Sequence, residues 1–74
     1  MEGRGFPSPW IVEEANDPCF IVSDANGQKL AYVYFEEDPE RRSAGKLLTK
    51  AEARRIAVNF ARLPEILRSQ PHWR

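Results

Sequence analysis

Few side chains in this sequence are of a type that could perform chemistry. Cys19 stands in an apolar run with no histidine near it in sequence, which is typical of a buried thiol rather than a nucleophile. His72 lies between Pro71 and Trp73 in a segment without periodicity, and a general base needs a positioned partner. One histidine and one cysteine cannot form a structural zinc site, and one cysteine cannot form an internal disulfide. We therefore expect no catalytic residues, no cofactor and no metal.

Two polar segments have the oxygen ligands of a hard cation but not the spacing. The acidic run at 36–40 lacks the fixed ligand positions of a calcium loop, which favours a solvated loop. Residues 24–27 (DANG) begin like such a loop, but the glycine comes too early and a tight turn explains it. The sequence also has no glycine-rich phosphate loop and no nucleophile elbow. These patterns do not indicate an enzyme.

The charges are balanced over the chain but not along it. Residues 1–40 hold nine acidic and two basic side chains, a net of −7, and residues 41–74 hold nine basic and two acidic ones, a net of +7. This asymmetry indicates either attraction between the two halves in the fold or an anionic partner for the second half. The basic residues that could contact nucleic acid are Arg41, Arg42, Lys50, Arg54, Arg55 and Arg62.

The elements that must position these residues follow from local patterns. Three apolar segments, residues 10–14, 19–23 and 29–35, predict β-strands. Residues 24–27 predict a hairpin turn, since Gly27 can adopt a positive φ without a steric penalty. Two short connections predict an antiparallel meander in the order 1-2-3.

A helix is predicted after the third strand. Thr49 is followed three residues later by Glu52, the pattern of an N-cap with a capping box. Pro64 should bend the helix or restart it as a short turn ending at Arg68. Residues 36–46 contain charges, a proline and a glycine, and we expect a loop there. The apolar stripe of the helix, within about 120° of arc, comprises Ala53, Ile56, Ala57, Phe60, Leu63 and Leu67.

Together these elements predict one α+β domain at residues 9–68. It is a three-stranded antiparallel β-meander with one C-terminal helix packed on one face (βββα), and residues 1–8 and 69–74 are flexible tails. A chain of 74 residues has room for one domain. The sequence has no apolar run of the ~20 residues that a membrane helix needs, and its start lacks a secretory signal. We expect a cytoplasmic protein.

Neither face of the predicted sheet is polar. A register that pairs Asp24 with Gln28 places Phe20, Val22, Leu30, Tyr32 and Tyr34 on one face. It places Cys19, Ile21, Ala31, Val33 and Phe35 on the other. One helix can cover only one of them, so the second face needs the N-terminal segment, the 36–46 loop, a second chain or another partner to cover it. Tyr32 and Tyr34 suit a partly hydrated surface.

Two resemblances accompany this pattern. A three-stranded sheet backed by one helix resembles plant AP2-type DNA-binding domains and the arm-binding domains of phage-type integrases, but here the exposed sheet would carry few bases besides Lys29. The segments PWIVE (9–13), FIVSDANG (20–27), LAYVYF (30–35), RR (41–42), LTKAEARRIA (48–57) and LPEIL (63–67) resemble short uncharacterised proteins of alphaproteobacteria. That resemblance implies a bacterial cytoplasmic setting and no activity.

Two functions from different classes follow. The first is a non-enzymatic protein-interaction module that binds through Phe20, Leu30, Tyr32 and Tyr34, with a second copy of the chain as one candidate partner. The alternative is a weak nucleic-acid-binding domain that uses the basic helix, through Lys50, Arg54, Arg55 and Arg62, together with Arg41 and Arg42. No contact with a membrane is expected.

Overall fold

A computed structural model describes residues 5–16 and 18–68, and it has an α+β architecture. Three strands form one antiparallel open sheet in the order β1-β2-β3, as the sequence predicts. Three helices follow, where the sequence analysis expected one. The elements in chain order are β1 (Ile11–Glu14), β2 (Cys19–Ser23), β3 (Lys29–Tyr34), α1 (Pro39–Gly45), α2 (Lys50–Ala61) and α3 (Leu63–Arg68).

The turn between β2 and β3 forms as predicted. The N–H of Asp24 donates to the carbonyl of Gln28 at 2.9 Å, and the N–H of Gly27 donates to the carbonyl of Asp24 at 3.0 Å. Gly27 adopts a φ of 88°, which a residue with a Cβ atom rarely adopts. The buried Asp24 carboxylate completes the turn by accepting the N–H groups of Asn26 and Gln28, each at 2.8 Å.

The predicted register fails directly after this turn, because a β-bulge adds one residue to β3. Ser23 pairs with Lys29, but Val22 pairs with Ala31, so Leu30 is the additional residue. A slip of one residue turns every following side chain to the opposite face. Phe20 therefore pairs with Val33 rather than Tyr32. The bulge packs Ala31 and Val33 against the core and leaves Tyr32 and Tyr34 exposed on the opposite face.

Residues 36–46 are not a loop throughout, because α1 occupies their centre. The Asp38 carboxylate caps this helix by accepting the Glu40 N–H at 2.9 Å, and Pro39 occupies its first turn. Proline is common at the first helical position, a signal that the charged composition of residues 36–46 obscures. Lys46, rather than Gly45, adopts the left-handed conformation that ends the helix, with a φ of 54°. No Cα atom of α1 lies within 8 Å of a strand Cα, so this helix does not cover the sheet.

The predicted start of α2 is confirmed. The Thr49 hydroxyl accepts the Glu52 N–H at 3.1 Å, and the Glu52 carboxylate accepts the Thr49 N–H at 2.9 Å. The helix ends at Ala61, and α3 begins before Pro64, so the predicted restart is confirmed as well.

The core lies between α2 and one face of the sheet. Phe20, Val22 and Phe35 pack there against Ala53 and Ala57, and both alanines are completely inaccessible to solvent. Small residues on α2 let the helix backbone approach the strands closely. Ile56 and Leu67, predicted for the buried stripe, remain 46% and 42% exposed, because this contact is centred on the alanines.

The N-terminal segment packs on the helical side of the molecule. The Trp10 ring lies 5.6 Å from the Phe60 ring, centroid to centroid, and its indole N–H donates to the Phe6 carbonyl at 3.0 Å. The Pro7 carbonyl accepts the Ala25 N–H at 2.9 Å. Residues 5–8, predicted as part of a flexible tail, are thus joined to the domain, whereas residues 1–4 and 69–74, including His72, lie outside the described residues. None of the described helices has the length and apolarity to cross a bilayer.

Candidate interaction surface

The face of the sheet opposite α2 carries exposed apolar side chains. Side chains of directly paired residues share a face, so the register groups Ile11, Ile21, Tyr32 and Tyr34 on this side. We call these four residues the open face. Ile11, Tyr32 and Tyr34 are 50%, 51% and 61% exposed, and Ile21 is half-buried. A soluble domain covers one face of an antiparallel sheet and normally places polar residues on the other. The open face departs from that pattern.

The predicted interaction residues divide between the two sides of the sheet. Tyr32 and Tyr34 lie on the open face, and Leu30 is a half-buried bulge residue. Phe20 does not belong with them, because it is 4% exposed and its ring lies 5.4 Å from that of Phe35 in the core. Ile11 and Ile21 take its place. The sequence pattern places Ile21 on the other face because the Leu30 bulge exchanges the faces of β3 relative to β2, and it assigns no face to Ile11.

Polar groups lie on the same side of the sheet, Glu13 in the row of Ile21 and Tyr32, and Lys29 in the row of Ile11 and Ser23 next to the hairpin. Glu13 pairs with Ile21 and Lys29 pairs with Ser23, so one acid and one base lie on this side. Both side chains are exposed. Together with Ile11, Ser23 and Asp24 they line a shallow groove. Cys19 lies in the central strand and is buried, as expected, with 3% of its surface exposed.

The described residues do not bring together the groups that metal binding needs. No group of three or more histidine, cysteine, aspartate or glutamate side chains with the geometry of a metal site occurs within the ranges 5–16 and 18–68. The carboxylate oxygens of Asp24 and Asp38 accept main-chain N–H groups. In the two polar segments considered as cation sites, these carboxylates thus have a structural role in a turn and a helix cap.

Three of the six predicted nucleic-acid-contacting residues bind carboxylates or main-chain carbonyls of the chain itself. Arg41 pairs with Glu36 at 4.0 Å and Asp38 at 3.8 Å. Arg42 donates to the Glu36 carbonyl at 3.0 Å. Lys50 pairs with Glu14 at 3.0 Å, which links the acidic and basic halves of the chain.

The remaining three arginines lie on the outward side of α2. Arg54 and Arg55 line a shallow groove with Ala51, Val58 and Asn59. Arg62 follows α2 as its C-cap, and its guanidinium donates to the Asn59 side chain at 3.4 Å. All three arginines are exposed and lie away from the buried alanines of the same helix.

Comparison with models of protein families, with curated proteins and with solved structures finds no match to this chain. The resemblance to short alphaproteobacterial proteins therefore stays a prediction.

Proposed function

We propose that this chain is a small, non-enzymatic protein-interaction module that binds its partner through the open face. The observation that supports this proposal is the exposure of Tyr32 and Tyr34 on a sheet whose other face already holds the core. Trp10 packs on the helical side, and α1 lies apart from the strands. Within residues 5–16 and 18–68, neither of the intramolecular covers expected from the sequence therefore packs on the tyrosines.

The composition of the open face suits a protein partner. Tyrosine contributes a large contact area with little loss of side-chain entropy, and its hydroxyl tolerates both water and a polar partner. Aromatic residues are enriched at the centres of protein interfaces, whereas charged residues are depleted there. On this surface Glu13 lies on β1, across the sheet from the tyrosines, and Lys29 lies at the start of β3.

Site-specific photocrosslinking tests this proposal. A benzophenone amino acid replaces Tyr34 in one variant and Val58 in a control variant, since Val58 is 42% exposed on the helical side. In cells that produce the chain, we expect a discrete protein adduct from position 34 and none from position 58. Equal labelling from both positions, or no adduct at position 34, would overturn the proposal. Mass spectrometry of the adduct identifies the partner as another protein or a second copy.

A weak nucleic-acid-binding function is the second candidate, and the outward arginines Arg54, Arg55 and Arg62 favour it. Each phosphate contact contributes about −0.9 to the slope of log K against log salt, so three arginines predict a slope of about −2.7 on duplex DNA. An affinity that does not change between low and moderate ionic strength would exclude this candidate. Arg55→Gln removes one phosphate contact and should make the slope less negative by about 0.9. Arg41→Gln serves as the control, because Arg41 is paired with acidic groups of the chain itself.

A further inference from the structure

We infer that the free edge of β3 pairs with β3 of a second copy of this chain, antiparallel and across a two-fold axis, to form one six-stranded sheet. This inference rests on the proposed function, since it names the partner and the part of the surface that binds it. It is carried by the hydrogen-bond directions of β3, by the contrast between the two sheet edges and by the charges at the two ends of β3.

The hydrogen-bond directions show which backbone groups of β3 are free. The Phe35 N–H donates to the Pro18 carbonyl at 3.0 Å, so residues 18 and 35 form a hydrogen-bonded position of the β2–β3 ladder. In an antiparallel pair such positions alternate with non-bonded ones. Cys19–Tyr34 and Ile21–Tyr32 are therefore non-bonded pairs. The N–H and C=O groups of Tyr32 and Tyr34 point away from β2, toward the edge of the sheet.

No other described element lies along the part of this edge formed by residues 32–34. Beyond it the Glu36 N–H, which points the same way, donates to the Leu48 carbonyl at 2.9 Å, so the free stretch ends before Glu36. Among the described elements, β3 is adjacent only to β2 within the sheet and to α2 on the core face. The two tyrosines thus present unpaired backbone groups at the edge and exposed rings on the open face. An edge with free N–H and C=O groups is a template for another strand.

The opposite edge of the sheet lacks these properties. The N–H of Ala15 donates to the Cys19 carbonyl at 2.9 Å, which by the same alternation directs the backbone groups of Val12 and Glu14 outward. β1 has only four residues, and two of them are glutamates. Short, charged edge strands resist pairing with another chain. Pairing through β3 would therefore close as a dimer and would not extend into a fibre.

The sequence of β3 selects an antiparallel copy. The strand begins at Lys29 and is followed by the acidic residues 36–38. An antiparallel second copy brings Lys29 toward this acidic end, whereas a parallel one would place Lys29 beside its equivalent. The symmetric register that centres on Val33 pairs Tyr32 with Tyr34 of the second copy. It uses all four free backbone groups of each strand and adds two cross-strand tyrosine pairs.

A proline scan of the two edges tests this inference. Tyr34→Pro removes an N–H that points outward, so the ladder with β2 loses no hydrogen bond. Glu14→Pro is the matched control on the other edge, where the N–H also points outward. Sedimentation equilibrium between about 1 µM and about 1 mM chain covers the range of weak association. We expect the average mass of the wild type to rise from 8.5 kDa toward twice that value. Tyr34→Pro should weaken self-association about tenfold or more, and Glu14→Pro should leave it unchanged.

A charge exchange tests the register and does not depend on the proline variant folding. Lys29→Glu should weaken the dimer, and Lys29→Glu combined with Glu37→Lys should restore it. The inference is overturned if the wild type stays monomeric throughout, if both proline variants weaken association equally, or if the exchange fails to restore it. A strictly monomeric chain that still crosslinks to a different protein through position 34 would refute self-pairing but keep the proposed function.

Discussion

Glu52 combines a structural and a titratable role at the start of α2. Its carboxylate accepts the Thr49 N–H, and this hydrogen bond is the main cause that lowers its pKa below the ordinary value for a glutamate. The Thr49 hydroxyl and the charges of Arg42 and Arg55 act in the same direction, and partial desolvation opposes them. The ionised form is therefore favoured in the folded state.

A pH dependence of stability follows for the wild type. Because the pKa of Glu52 is lower in the folded chain than in the unfolded one, its contribution is present above the unfolded pKa and is lost as the pH falls through the folded pKa. We expect the unfolding free energy to decrease in acid, and we expect Glu52→Gln to reduce that decrease. Denaturant titrations at several pH values measure it, and carbon-13 NMR of the Glu52 carboxyl measures the pKa. If the unfolding free energy decreased equally with falling pH in the wild type and in Glu52→Gln, this role would be contradicted.

Gly27 is the position where a side chain would strain the hairpin. A Cβ atom there would meet no atom within 4 Å, so the cost arises from the φ of 88° and not from a clash. Gly27→Ala should lower the unfolding free energy by about 1 kcal/mol. Gly5→Ala is the control, because that position has the same empty surroundings without the positive φ. If chemical denaturation gave the same unfolding free energy for Gly27→Ala and Gly5→Ala, the turn would tolerate alanine.

The helix–sheet contact depends on the two buried alanines of α2. Ala57 is fully buried against the strands, so Ala57→Leu must push the helix away from the sheet. We expect a destabilisation of about 1–3 kcal/mol, the usual cost of inserting a larger side chain into a packed core. Ala51→Leu adds the same atoms on the exposed side of the same helix and should change the unfolding free energy little. Denaturation of both variants under one condition separates overpacking from helix propensity.

The whole molecule has one small core, so it should unfold in one step. A 74-residue chain predicts a heat capacity change of about 1 kcal/mol/K, from about 12–15 cal/mol/K per residue. Trp10 packs on Phe60, so its fluorescence reports the helix–sheet contact in a Trp73→Phe background. At low micromolar concentration the fluorescence and circular dichroism transitions should coincide. An earlier fluorescence transition would show that the N-terminal segment detaches independently.

The charge asymmetry between the halves is only partly used within the fold. The Lys50–Glu14 pair joins the two halves, but both side chains are about half exposed, and such pairs contribute little to stability. Among the described residues, the outward arginines Arg54, Arg55 and Arg62 form no ion pair with the acidic half of the chain. The molecule therefore presents two separate surfaces of different chemistry, an aromatic sheet and a basic helix.

Local signals in the sequence were sufficient for the three strands, their order, the turn at Gly27 and the start of α2 at Thr49. Each depends on neighbours within a few residues, such as the reciprocal hydrogen bonds of Thr49 and Glu52. The same kind of signal is present for the start of α1, in Asp38 and Pro39, although residues 36–46 as a whole predict a loop.

Only the tertiary structure decided which side chains share a face. The turn indicated that Asp24 pairs with Gln28, yet the bulge at Leu30 reversed every residue beyond it. A bulge forms when packing across the sheet favours it, here with Ala31 and Val33 beneath Ala53 and Ala57 and with the tyrosines in water. Such packing joins residues more than 20 positions apart, and no local pattern encodes it. The residues that form the open face, and the outward direction of the Tyr32 and Tyr34 backbone groups, follow from that packing.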